Sequence, residues 1–190
     1  MLKSKSRIAI LGVVLGIILL VIAATLYFTG SSHQSIDWDI TLIGKNQEEQ
    51  ILNYKGLIKL QAHEANGGFF TTVGVVNGPY RVKGIVIKDL CALVGGISSG
   101  DAVMVSATDG YSMVYDYIQL SGSIQTYDPV TLREVSHEEQ WVMLIYELNN
   151  DPLPQGDGPL RIAVVGNESL LTEGHYWVKR VNKIEVLNVK

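Results

Sequence analysis

Gly156-Asp157-Gly158-Pro159-Leu160-Arg161-Ile162-Ala163-Val164-Val165 is the stretch on which the fold of this chain turns. Its first four residues are turn formers: Gly frees the backbone and Pro fixes φ. The run from Leu160 to Val165 then has strand length, is bounded by a turn and is apolar except for Arg161, as a strand covered on both faces would be. Working outward, Trp38, Ile40 and Leu42 alternate with Asp39 and Thr41 as a half-buried strand does. Phe69 to Val76 is a β-branched and aromatic run, and Asn77-Gly78-Pro79 predicts a turn into Tyr80–Val82, with Gly84 before Ile85 to Ile87. Ala102 to Ala107 and Trp141 to Leu148 read as strands. Between them lie the Asp109-Gly110 turn and a polar stretch, Ser121 to Gln140, that forms an exposed hairpin or loop. Lys183 to Val189 reads as the last strand. Asn53 caps a short helix carrying Tyr54, Leu57, Ile58 and Leu60, and Lys88 to Val94 forms a second helix stopped by Gly95-Gly96. At least seven strands and two or three short helices make the class α+β, dominated by strand.

The 190 residues have room for one ordinary domain and an anchor. Ile8 to Phe28 is 21 residues without a charge, which as a helix spans roughly 31 Å, a hydrocarbon core's thickness. A cleaved signal peptide is the rival reading. Signal h-regions are shorter, however, and this run closes on Tyr27 and Phe28, where an interfacial aromatic belt belongs. Lys3, Lys5 and Arg7 precede it, which keeps the N-terminus cytoplasmic and sends the C-terminal part outside. The expected organisation is a basic cytoplasmic tail at 1–7, a transmembrane anchor at 8–29, a linker at 30–37 and an extracytoplasmic domain at 38–190. The expected location is the cell membrane, in single-pass form. Without its first three cations the chain carries 12 Lys and Arg against 19 Asp and Glu, a net of about −7, which argues against nucleic acid as a partner.

Cys91, the one cysteine, excludes an internal disulfide, thiolate clusters and a CxxC pair. Flanked by Leu on a short helix, it reads as a small buried hydrophobe. His33, His63, His137 and His175 show no i, i+4 pairing, although His175 lies close to Lys179 and Arg180. Ser112 lacks a G-x-S-x-G elbow, and no phosphate-binding glycine loop of the P-loop or dinucleotide type occurs. Three cations are the most suggestive feature. Arg161 stands at the mouth of the apolar strand, and Tyr176-Trp177-Val178-Lys179-Arg180 supplies two more beside aromatics. Converging, they would form an anion pocket suited to phosphate or carboxylate. Paired with Asp or Glu, Arg161 and Lys179 would instead staple the fold.

The order of motifs adds a resemblance. Gly84-Ile85-Val86-Ile87-Lys88-Asp89-Leu90, Asp109-Gly110-Tyr111-Ser112 and Tyr146 to Pro154 follow one another. Gly158-Pro159-Leu160-Arg161 and Trp177 to Val186 complete the series. From Trp38 to Val189 the chain resembles the molybdopterin-binding domain of the sulfite oxidase family of oxidoreductases. The resemblance implies that family's strand-rich α+β fold and a molybdopterin cofactor, with a redox or complex partner protein. It places Arg161, Val178 and Lys179, with Trp177 just before them and His175 nearby, as cofactor-binding residues. The chain departs from the family twice. Gly156 stands where H-G-x-P-x-R opens with histidine, and the metal-ligating cysteine's loop falls near Phe69 to Gly78, which has no Cys. Two functions follow as expectations: a membrane-anchored molybdopterin-dependent oxidoreductase, or a non-catalytic binding module of the same fold that takes a small anion or a protein partner. A purely structural ectodomain is a third.

Overall fold

The computed structural model describes residues 36–189. The basic tail, the span at 8–29 and the linker as far as residue 35 lie outside the described residues. Among the described residues no helix is long and apolar enough to cross a membrane.

In chain order the elements are β1 (Asp39–Ile43), β2 (Glu49–Asn53), α1 (Tyr54–Leu57), β3 (His63–Phe70), β4 (Val76–Val86) and α2 (Ile87–Ala92). There follow β5 (Asp101–Ala107), β6 (Ser112–Asp116), α3 (Tyr117–Leu120), β7 (Thr126–Tyr127), β8 (Glu134–Val135) and β9 (Gln140–Leu148). β10 (Asp151–Pro152), β11 (Arg161–Gly166), β12 (Leu171–Glu173), a 3-10 turn at Gly174–Tyr176 and β13 (Val181–Asn188) end the fold. One sheet has five strands in the order β2-β1-β13-β5-β6, with β1 parallel to β13. The other has eight, running β10-β9-β11-β3-β12-β7-β8, and β4 pairs with both β3 and β9. Because β11 also meets β3 at Gly166 and Asn66, strands β3, β4, β9 and β11 close into a ring.

Strand periodicity sorts the side chains of this ring. Val142, Leu144 and Tyr146 of β9, with Ile162 and Val164 of β11, join the main core with Ile40, Val105 and Ile184 of the five-stranded sheet. Met143 and Ile145 of β9, with Ala163 and Val165 of β11, join Ala65 and Val82 in a second, smaller core. Arg161 is in phase with Ala163 and Val165, so strand alternation alone assigns the guanidinium to the second core's side of β11. Gly84 is where the ring closes tightly. A Cβ there would stand 2.2 Å from the Leu144 carbonyl oxygen and 2.6 Å from Ile145 Cα, so only glycine lets β4 approach β9.

The strand-rich α+β class holds, and both expected helices form but end early, α1 at Leu57 before Ile58 and Leu60 and α2 at Ala92 before Val94. Asn53 Oδ1 accepts from Gly56 N at 2.8 Å, capping α1 as expected. α2 starts one residue early, at Ile87, and buries Ile87, Leu90 and Cys91. The polar stretch does form a small hairpin, β7–β8, whose turn is held by Asp128 Oδ1 accepting from Thr131 N at 2.7 Å. Two local expectations need correction. Phe69 to Val76 is not one strand: β3 ends at Phe70, and Thr71 closes a hairpin tip by accepting from Gly74 N at 2.8 Å and donating to Val75 O at 3.0 Å. Asn77-Gly78-Pro79 is not a turn but lies inside β4. β9 pairs with β4 only from Val82 onward, and the facing stretch of β3 shifts register between Gly67 and Phe69. Proline is tolerated there because the strand is still an edge beside a bulge, where a missing N–H costs little.

A candidate anion site closed by its own carboxylate

Loop 154–159, between β10 and β11, and the segment 177–180, between the 3-10 turn and β13, come together in the fold. Ile162 N donates to Val178 O at 2.8 Å and Val181 N to Leu160 O at 3.0 Å, so the second segment runs beside the start of β11. Arg180 then clamps the loop twice, its N donating to Asp157 O at 3.1 Å and its Nε to Gly156 O at 3.3 Å. Within the loop, Asp157 N and Gly158 N both donate to Pro154 O, at 2.8 and 2.9 Å. Asp157 is therefore fixed by backbone contacts before its side chain makes any.

That side chain joins two of the three cations singled out in the sequence, while the third, Arg180, spends its Nε on the Gly156 carbonyl. Arg161 Nη1 donates to Asp157 Oδ2, and Lys179 Nζ stands 2.6 Å from Asp157 Oδ1. Arg161 is 3 % exposed, Asp157 20 % and Lys179 50 %, so the pair is buried at one end and wet at the other. The guanidinium carbon lies 4.7 Å from the Phe69 ring centre and 5.3 Å from that of Trp177, and since those rings are 5.0 Å apart it rests against the aromatic pair as a cation–π contact with each. Burial pulls the Arg161 guanidinium below its ordinary pKa, and the nearby Asp157 carboxylate opposes that shift. Arg161 Nε is buried without a hydrogen-bond partner, so Asp157 uses only part of the donor capacity of this side chain.

The remaining expected residues line a separate opening. Trp177, Val178, Lys179 and His175 border a cleft of about 350 Å³ with Asp109, Tyr111 and Gly174, and Arg161 is not among its walls. Trp177 is buried, its Nε1 donating to Thr172 Oγ1 at 2.9 Å, and Val178 is buried too. His175 is partly exposed, with Nδ1 3.3 Å from Glu173 Oε2 and its ring against Tyr176. The 3-10 turn that carries it is held from the other sheet: Tyr111 donates to His175 O at 3.1 Å and Tyr115 to Tyr176 O at 2.5 Å. Burial drives the Tyr115 hydroxyl pKa well above its ordinary range, which keeps it a donor. Arg161 and Lys179 thus meet, but through Asp157 rather than across an open pocket.

Sequence reasoning missed two participants. Asp157 was present in the quoted stretch, four residues before Arg161, and its sign was the available signal. Phe69 was read only as a strand residue. The loop assigned by resemblance to a metal-ligating thiolate does reach the site, since Phe69 packs 5.0 Å from Trp177, but it delivers an aromatic ring. Ser112 has a local role, its hydroxyl donating to Ser106 Oγ at 3.0 Å. Cys91 is core, and burial pushes its thiol up to about 12, far from a thiolate.

A molybdopterin cofactor does not fit these residues. Its phosphate would meet two cations already compensated by a carboxylate of its own sign. Its metal would lack the thiolate that the protein itself would supply, because Phe69 to Gly78 has no Cys and Cys91 is buried.

No protein-family model matches the chain. No curated protein matches it either. Among solved structures it is similar to the sulfane dehydrogenase SoxCD from Paracoccus pantotrophus, with a TM-score of 0.59 and 14 % identity. The match covers 80 % of this chain and 38 % of that one, so the chain spans well under half of the structure it matches. Likeness at this identity is a likeness of fold, and it supports the molybdopterin-oxidoreductase-like fold that the order of motifs implied.

Proposed function

We propose that this chain is a membrane-anchored, extracytoplasmic domain that keeps a molybdopterin-oxidoreductase-like fold but works as a non-catalytic binding module. The observation that carries this is the position of Asp157. Its two carboxylate oxygens are divided between Arg161 and Lys179, the residues to which the resemblance gave the cofactor phosphate. Two features support it: the aromatic Phe69 on the loop where a thiolate would be needed, and the burial of Cys91 in the main core. Anchoring and orientation rest on the uncharged run from Ile8 to Phe28 and the cations Lys3, Lys5 and Arg7.

The test uses the full-length chain made in a host that synthesises molybdopterin. Molybdenum is measured by elemental analysis and pterin by fluorescence after acid oxidation. Neither should co-purify in stoichiometric amount. Molybdenum at one atom per chain would return the protein to redox chemistry, and pterin without metal would make it a cofactor-binding domain.

A further inference from the structure

We propose that Asp157 is a resident counter-anion that closes a phosphate site, and that removing this one charge opens the domain to inorganic phosphate and phosphomonoesters. The inference rests on the non-catalytic reading above and says why the fold's anion site is silent in this chain. The carboxylate presents one oxygen to a guanidinium and the other to an ammonium, the arrangement two oxygens of a bound phosphate would adopt. The loop does not depend on that carboxylate for its shape, because Arg180 and Pro154 hold the backbone of Gly156, Asp157 and Gly158. An isosteric amide therefore changes charge with little change of backbone. Arg161 and Lys179 with Asp157 sum to one positive charge, and with asparagine to two. Arg161 also has an unused donor in Nε, and Lys179, half exposed, forms the solvent-facing side of the pair. A tetrahedral dianion brings more acceptors than a carboxylate and enters from that side.

The test compares the full-length chain with D157N and with D157N/K179A, titrating inorganic phosphate by calorimetry and by thermal unfolding against chloride at matched ionic strength. Phosphate stabilises most folded proteins weakly by exclusion from their surface, so the difference between variants is the readout. D157N should bind phosphate saturably and at least about tenfold more tightly than wild type, and D157N/K179A should lose that gain, as expected when one of two cations is removed. Equal affinity in wild type and D157N overturns the proposal, as does a folded D157N with no added response. Should D157N fail to fold, refolding in phosphate against chloride decides: rescue by phosphate supports the closed site, and its absence overturns it. The two readings fail separately. Molybdenum or pterin in the wild-type chain sinks the non-catalytic function, whereas equal phosphate affinity sinks the counter-anion alone.

Discussion

Asp157→Asn should destabilise the domain far more than Arg161→Met, although the two substitutions break the same ion pair. The asymmetry follows from where each partner sits. Arg161 is 3 % exposed, so D157N leaves a guanidinium buried without a counter-ion, which typically costs about 3–5 kcal/mol. The amide oxygen still accepts one hydrogen bond, and Lys179, half in water, turns away freely. The cost should therefore fall near the lower end, about 3 kcal/mol. Arg161→Met removes the charge together with its desolvation and the unpartnered Nε, and keeps an unbranched chain against Phe69 and Trp177. It gives up two cation–π contacts, worth about 2 kcal/mol each for a desolvated cation, which the removed desolvation of the charge largely offsets, while Asp157 keeps Lys179 and partial hydration. Its net cost should be about 1 kcal/mol. For a domain of this size 1 kcal/mol shifts Tm by about 2–4 °C, so D157N should melt about 6–12 °C below wild type and R161M about 2–4 °C below. The double variant should resemble R161M, because the carboxylate has nothing buried to compensate once the guanidinium is gone. Thermal unfolding of the full-length chain in low phosphate, followed by tryptophan fluorescence, measures all three. A D157N protein as stable as wild type, or R161M costing as much as D157N, would show that the pair is solvated and not a buried closure.

Three further outcomes are expected. Gly84→Ala should cost about 3 kcal/mol or prevent folding, since the new Cβ would meet β9 backbone atoms that cannot move aside; a shift of Tm under 3 °C would mean the ring is looser than described. Cys91 should be inert to thiol reagents at pH 8 in the native chain and fully reactive after denaturation, as its buried thiol sits at about 12; rapid native labelling would contradict its place in the core. Asp101 receives hydrogen bonds from Lys45 and Ser98, which lower its carboxyl from 3.8 to about 2. A depressed folded value stabilises the fold above the unfolded pKa, so about 2 kcal/mol should disappear as pH falls from about 4 to about 2, less whatever solvent screens at Lys45; D101N should flatten that part of the pH–stability curve.

The strands that proved easiest to read were those buried on both sides, because a strand between two cores is apolar on both faces wherever no charge is paired, as Arg161 is with Asp157. Leu160 to Val165 and Trp141 to Leu148 are such strands, and each divides its residues between the main core and the smaller one. Where only one neighbour is present, local signals misled. Asn77-Gly78-Pro79 has turn chemistry, but those residues lie in an edge portion of β4 opposite a register shift, where the ladder makes no demand on the proline nitrogen. In the Phe69–Val76 run, β propensity was overridden by Thr71 and Gly74, which form the hairpin tip.

The site was legible as far as its cations. Arg161 and Lys179 were picked out because positive charge is scarce in an acidic domain, and the fold does bring them to one point. Charge counting could not say what stands between them. A carboxylate four residues from an arginine is ordinary in a chain with 19 acidic residues, and only the backbone clamp from Arg180 and Pro154 aims Asp157 inward. The same two cations therefore mean opposite things according to that clamp. With the loop free, Asp157 could swing into water and leave a phosphate site; with the loop held, its carboxylate already occupies the place of the ligand. In this chain the three hydrogen bonds of loop 154–158 that involve Arg180 or Asp157 N decide between binding and closure, and charge alone does not.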